Sequence, residues 1–523
     1  MAATVAVSRT GGRPRERALI DQAFTRATGA PLVAGNAVAL LRDAKENYPA
    51  WLEAIRSAER TVCFESYLIH DDAAGAEFAE VLAAKAREGV RVRIAYDWLG
   101  GLGKTSGAFW RALRQAGAEV RCFNPPSFTN PAASLHRDHR KTLTVDGRVA
   151  YVSGLCVGRM WVGDPARGIA PWRDTGVELR GPAVADVEQA FARIWRSMGP
   201  PLPEGELRRR EEMPEAGDVL LRVVASEPWT AGILRLDQLI ASAARETLWL
   251  TDAYFAGTPS YVQALRAAAR DGVDVRLLVP GGSDIPVLRP LSQAGYRPLL
   301  EAGIRVFEWK GPMLHAKTAV ADGRWARVGS SNLNLASWLG NYEMDLAIEN
   351  ARFAVEMQQQ YLADLENASE IVLTAERRRS PRRRRDRVKR PTAARAGGSA
   401  GRAAAGALRI GNTVSAAIAD RRRLGHTEAR IIAGAGGAML VLAAVALLWP
   451  RVLTVPLALL ALWMAVALLS RASALYRARR AVAVPAQRVV PLLTPASPEA
   501  APGAPVHSLA GPLAQPPARP PAG

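Results

Sequence analysis

Two short stretches of this chain carry a histidine, a lysine two residues on and an aspartate five residues beyond that: His139-Arg140-Lys141 leading to Asp146, and His315-Ala316-Lys317 leading to Asp322. Residues i and i+2 of a β-strand point to one face, so each copy, read as a strand, sets an imidazole beside an ammonium facing one cleft. Two such pairs suit a single phosphate, because imidazoles attack phosphorus or carry protons while ammoniums neutralise its oxygens. The aspartates have the opposite parity, and each is followed by glycine (Gly147, Gly323) between β-rich runs. That pattern predicts a tight hairpin turn, so Asp146 and Asp322 enter the motif in a structural or supporting role.

Each copy continues in register into a strand and a run of small residues, Ser153-Gly154-Leu155-Cys156 in the first and Gly329-Ser330-Ser331-Asn332 in the second. The duplication also extends upstream. Glu65-Ser66-Tyr67-Leu68, an amphipathic stretch through Arg87 and a β-rich run to Asp97 parallel Asp252-Ala253-Tyr254-Phe255, a helical stretch through Arg270 and a run to Pro280. A further pair of helix-end glycines, Gly117 and Gly303, each precedes another β-rich run. Repeated β-α-β units predict an α/β fold of two pseudo-repeated lobes, each a sheet covered by helices.

These residues resemble the phospholipase D superfamily and, within it, the bacterial cardiolipin synthases. The resemblance runs from about Val38 to about Asp364 and is carried by Leu135 to Lys141, Trp172-Arg173-Asp174 through Glu178, Leu314 to Lys317, and Gly329 to Asn332 with Asn341-Tyr342-Glu343. It implies a bilobal enzyme with its active site between the two lobes, in which one neutral imidazole attacks phosphorus, forming a phosphohistidine, while the other hands a proton to the departing alkoxide. His139 is the nucleophile by resemblance and His315 the acid; spacing alone leaves the two interchangeable. The resemblance assigns Lys141, Lys317 and the amide of Asn332 to the phosphate oxygens, adds Ser330 to the site, and makes Glu343 and Asp174 the carboxylates that orient the histidines.

Two positions depart from the family pattern. Cys156 stands where an asparagine would mirror Asn332, and Ala336 where an arginine is usual. Cys156 reads as a small buried filler. The three cysteines, Cys63, Cys122 and Cys156, form neither a paired framework nor a metal-ligand spacing, so no disulfide is expected. The sequence offers no cation cage and no nucleotide-phosphate loop, and no cofactor or metal is expected.

The formal net charge is +19, much of it from the arginine block Arg377 to Arg390. Beyond it, Ile431 to Trp449 and Val452 to Leu469 are nearly uncharged runs, each long enough to cross a hydrocarbon core of roughly 30 Å. Arginines flank both outer ends, which by the positive-inside rule places them in the cytoplasm. The expected layout is an N-terminal extension (1–34), first lobe (35–215), second lobe (216–375), basic linker (376–430), transmembrane hairpin (431–470) and a basic, then Pro/Ala-rich tail (471–523). The N-terminus has no apolar core of the length a secretory signal needs. The expected partners are phospholipid, with phosphatidylglycerol as substrate, and an anionic membrane surface at the inner membrane, with the catalytic lobes cytoplasmic. Nucleic acid is the competing partner for any arginine run, and the adjoining apolar hairpin weighs against it. A phospholipase D hydrolase and a nucleic-acid phosphodiesterase are the alternative activities; oligomeric state is not legible.

Overall fold

In a computed structural model the chain is described over residues 14–372, except 127–135 and 285–287, and at isolated positions between 437 and 469. The basic linker, nearly all of the apolar hairpin expected at 431–470 and the tail lie outside the described residues. Among the described residues, no helix is long and apolar enough to cross a membrane.

The first half contributes β1 (Val33–Arg42), β2 (Thr61–Ser66), β3 (Arg91–Asp97), β4 (Glu119–Phe123), β5 (Lys141–Val145), β6 (Val149–Ser153) and β7 (Thr175–Arg180). The second contributes β8 (Val219–Ser226), β9 (Thr247–Thr251), β10 (Asp274–Pro280), β11 (Arg305–Trp309), β12 (Thr318–Ala321), β13 (Trp325–Gly329) and β14 (Glu343–Glu349), followed by β15 (Ala368–Ile371). They order as β15-β11-β10-β9-β12-β13-β14-β8-β1-β7-β6-β5-β2-β3-β4, so the sequence of strands outward from the central β8-β1 pair is the same in both halves as far as β11 and β4, and β15 adds one edge strand beyond β11. In each half β2-β3-β4 or β9-β10-β11 are parallel, and the remaining pairs are antiparallel.

The helices Ala73–Arg87 and Pro259–Arg270 make the crossovers after β2 and β9, as the repeat predicts. Their starts are capped by Asp72, whose carboxylate accepts from Gly75 N, and by Thr258, whose hydroxyl accepts from Tyr261 N, satisfying amides that the first turn leaves unpaired. Sheet faces of the two halves share one core: Ala150, Val152, Val177 and Leu179 pack in the same cluster as Val320, Val328, Leu346 and Ile348. That shared face locks the lobes together and brings their corresponding strand ends to one place. Within the stretch expected as an N-terminal extension, the helix Pro14–Thr28 packs Phe24 into the second half's core, and Arg222 donates to Thr25 Oγ1 and Ala30 O.

The two Asp-Gly pairs build the expected hairpins. Asp146 and Gly147 have φ of 56° and 65°, Asp322 and Gly323 50° and 60°, and each turn closes with a backbone bond, Arg148 N to Val145 O and Arg324 N to Ala321 O. Left-handed backbone at both central residues matches the twist of the flanking strands, and aspartate and glycine tolerate it best.

Candidate active site

The His-Lys pairs stand at the entries of β5 and β12 and not inside strands: His139 precedes β5, which opens with Lys141, and Lys317 is the residue before β12. Both segments are extended and bridge to the opposite lobe, because Asp138 pairs with Tyr342 and Leu314 with Arg173. His139 N donates to Tyr342 O (2.9 Å) and His315 N to Arg173 O (2.7 Å), so each histidine is pinned by the strand that brings the other lobe's carboxylate.

The carboxylates are exchanged between lobes. His139 Nδ1 lies 3.0 Å from Glu343 Oε2, and His315 Nδ1 lies 2.7 Å from Asp174 Oδ2. Burial by itself would raise Glu343 and Asp174, but the facing imidazoles together with Lys141 and Ser330 at Glu343, and with Lys317 and the Thr175 amide at Asp174, leave both carboxyls below their ordinary values. An ionised carboxylate only accepts, so in each pair Nδ1 carries the proton and Nε2 keeps its lone pair. Burial holds His139 below the usual histidine range against the pull of Glu343. Burial and then the Lys317 charge push His315 down to about 4, against the pull of Asp174. Lys317 is itself lowered to about 8 by burial, with Asp174 opposing and Lys141 adding to the fall. Both imidazoles are therefore neutral at pH 7 in the ligand-free protein, with two lysines beside them.

Each ammonium also donates to the backbone carbonyl of its own histidine, Lys141 to His139 O and Lys317 to His315 O. Two tyrosines that the sequence reading did not single out wall the site. Tyr67 lies edge-on to His139 (centroids 5.2 Å) with Lys141 Nζ 5.3 Å from its ring, and Tyr254 does the same for His315 (5.9 Å) and Lys317 (5.8 Å). Their matched places in the repeat were the available signal.

The halves are not identical. Ser330 Oγ donates to Glu343 Oε2 (2.5 Å) and Asn341 Nδ2 to Oε1 (3.3 Å). In the other half, Gly154 takes the place of Ser330, and Trp161 Nε1 donates to Asp174 Oδ2 (3.1 Å) instead. A Cβ on Gly154 would sit 2.2 Å from Asp174 Oδ1, so a larger residue there would displace the carboxylate. Nothing local in the sequence flags Trp161. Asn332 is buried, and its side-chain oxygen has no hydrogen-bond partner among the described residues. At the matching position, burial pushes the Cys156 thiol up against the pull of Lys141, and the side chain packs in the first lobe's core. The three cysteines are free.

Asp146 and Asp322 do not join the imidazoles. Asp146 accepts from the backbone N–H groups of Glu59, Arg60 and Thr61 (2.7–2.9 Å), and Asp322 from those of Arg245, Glu246 and Thr247 (2.8–2.9 Å). Each carboxylate thus ties its hairpin to the start of β2 or β9, because it sits in the turn at the end of β5 or β12 away from the histidines.

Buried arginines beside the site bind the lobes. Arg140 donates to Ala190 O, Ser226 O and Glu343 O, while Arg173 forks onto Asp364 (2.8 and 3.0 Å) and reaches Asp43 (3.2 Å). Planar guanidinium suits this multiple, fixed-angle pairing.

A family model described as cardiolipin synthase, PLD-like domain, matches residues 51–195 and 236–365. The chain is 33% identical over 341 residues to a cardiolipin synthase of Halalkalibacterium halodurans, spanning 64% of this chain and 66% of that protein. It is 34% identical over 367 residues to cardiolipin synthase A of Pseudomonas aeruginosa, spanning 69% and 73%. Of solved structures, phosphatidylserine synthase of Haemophilus influenzae shares the fold, with a TM-score of 0.52 at 14% identity over 67% of this chain and 92% of that one. With both pseudo-repeated halves covered by that model, and both histidines inside the matched spans, this chain belongs to the phospholipase D-like family of the cardiolipin synthases.

Proposed function

We propose that the protein is a cardiolipin synthase, moving a phosphatidyl group from one phosphatidylglycerol to the hydroxyl of a second and releasing glycerol. The observation that carries the reading is the pair of crosswise His-carboxylate couples, one for each proton-handling role in a two-step displacement. His139 Nε2 attacks phosphorus, the P–N bond forms, and the P–O bond to glycerol breaks as His315 gives its proton to the leaving oxygen. The second phosphatidylglycerol then attacks the phosphohistidine, His315 takes the proton of its hydroxyl, and the P–N bond breaks. Lys141, Lys317 and the side-chain NH2 of Asn332 bear the charge on the phosphoryl oxygens, and Ser330 holds Glu343 in place.

A neutral His315 cannot act as an acid. The anionic phosphodiester supplies the missing charge, since its approach stabilises the imidazolium already facing Asp174, and substrate binding is coupled to uptake of one proton. The lobes, 35–215 and 216–375, hold this chemistry. The apolar stretch 431–470 serves as a membrane hairpin and the arginine block as an attractor for anionic lipid at the cytoplasmic face. The relatives' names support the lipid substrate, and no nucleic acid enters the reading.

Hydrolysis to phosphatidic acid differs only in which acceptor meets the phosphohistidine. Mass spectrometry of the products from purified protein and phosphatidylglycerol separates the outcomes: cardiolipin with glycerol supports the synthase, and phosphatidic acid alone overturns it.

A further inference from the structure

Loops at the active-site end of the strands each join a residue at the site to a large apolar side chain turned to solvent. After β3, Gly100 packs so closely on Tyr67 that an added Cβ would lie 2.0 Å from Tyr67 O, and its neighbours Leu99 and Leu102 are exposed. After β6, Trp161 holds Asp174 while Val162 and Ile169 are exposed. After β8, Trp229 is 74% exposed; its amide donates to Leu339 O and its ring lies edge-on to His136, whose Nδ1 is 2.9 Å from Gly340 O. Leu335, exposed, comes from that same segment between β13 and Glu343.

Trp229 has φ of 69° and Ala231 of 53°, a left-handed backbone that bulky residues rarely adopt. A strained turn that spends its strain on holding an indole out of the core signals a use for that indole in solvent-facing chemistry. Exposed Lys104, Arg159 and Arg167 stand within a few residues of Leu102, Val162 and Ile169, so the apolar tips are interleaved with cations; the acids of the same loops, Asp164 and Glu227, are half-buried, Glu227 is paired with Arg193 (3.1 Å), and the exposed Asp71 and Asp284 lie in the neighbouring loops after β2 and β10. Asp284 is already engaged by the Tyr254 hydroxyl at 2.8 Å. An amphipathic aromatic, aliphatic tips and nearby cations together match the interface of an anionic bilayer, where an indole sits at headgroup level and cations meet phosphate.

We propose that this rim, with Trp229 its most exposed point, seats the mouth of the active site on the surface of an anionic bilayer. The occupant rests on the lipid-substrate reading above. The rim acts from the catalytic lobes themselves, separately from residues 431–470, and places the two histidines over the headgroups that they are to cleave and join.

The test uses the full chain and the double variant Trp229→Ser, Leu335→Ser. Turnover is measured on phosphatidylglycerol in vesicles and on a short-chain phosphatidylglycerol held below its micellar concentration. Loss of two apolar insertions is expected to lower vesicle turnover by about five-fold or more and to leave turnover of the monomeric lipid within about two-fold. Unchanged vesicle turnover overturns the proposal; so does an equal loss in both arms, because the residues would then shape the site instead of docking it. If the unaltered protein turns over neither form, the enzymatic reading is what has failed. Docking is then read from quenching of tryptophan fluorescence by brominated phosphatidylglycerol: Trp229→Phe is expected to reduce the quenched fraction, and an unchanged fraction overturns the rim.

Discussion

Replacing Asp174 by asparagine tests the division of labour between the two histidines. Asp174 Oδ2 accepts from both His315 Nδ1 (2.7 Å) and Trp161 Nε1 (3.1 Å), while Oδ1 accepts from Thr175 N (2.8 Å). An amide has one oxygen for these three donors, so the –NH2 group must face Thr175 N or the His315-Trp161 pair, and the –1 charge is gone in either case. Charges about 4 Å apart at an effective dielectric of about 20 interact by about 4 kcal/mol, and the imidazolium of His315 would lose that much support. At about 1.4 kcal/mol per decade this is roughly a 10³-fold fall in turnover of phosphatidylglycerol. The same variant should lose far less on a phosphatidyl ester of nitrophenol, read as the first-turnover burst, because nitrophenolate departs without a proton from His315. Glu343→Gln, which releases the attacking imidazole, should lose activity on both esters alike. Equal losses for the two variants on both esters would refute separate roles, and rescue of Glu343→Gln but not of Asp174→Asn by the nitrophenyl ester would exchange the roles of His139 and His315.

Other outcomes follow from the same geometry. His315 titrates near 4 when folded and near 6.5 when unfolded, so the fold favours its neutral form; that contribution is complete above about pH 6.5 and is lost as pH falls toward 4, amounting to about 3 kcal/mol. Denaturant unfolding against pH should show a shallower acid loss in His315→Gln than in the unaltered protein, and parallel curves would refute the burial of a neutral imidazole. Dimethyl phosphate, as a stand-in for the anionic phosphodiester, should bind with uptake of a proton near neutral pH; calorimetry in buffers of different ionisation enthalpy would give a slope near zero if the imidazoles stayed neutral. Cys156→Asn puts a larger amide into a packed core beside Tyr48, whose hydroxyl donates to Cys156 O (2.6 Å), and should cost about 1–3 kcal/mol of stability; a stable variant with faster turnover would instead make this position a working phosphate contact. Truncation after about Ala375 should leave a folded core that retains activity on detergent-dispersed lipid, and inactivity there would mean that the C-terminal segments help to build the site.

Much of the fold is legible in the residues because the chain says it twice. The matched His-x-Lys units, the two Asp-Gly turns and the glycines that end each helix are local signals, and local sterics decide them: a left-handed two-residue turn admits few residue types, and with that turn fixed the length of β5 puts Asp146 at the opposite end of the strand from His139. The duplicated strand order follows, and so do Glu343 and Asp174 as the carboxylates needed, once the resemblance supplies their positions. Which carboxylate meets which histidine is not written in either half. His139 and Asp174 share a lobe, yet His139 reaches across to Glu343 and leaves Asp174 to His315. That exchange depends on the packing of two sheet faces and on bridges such as Asp138 to Tyr342, contacts between residues some two hundred positions apart. The neutrality of both imidazoles is of the same kind. A histidine's type sets its ordinary proton affinity, but only burial under tyrosines, tryptophans and the opposite lobe removes the water that would stabilise its charge.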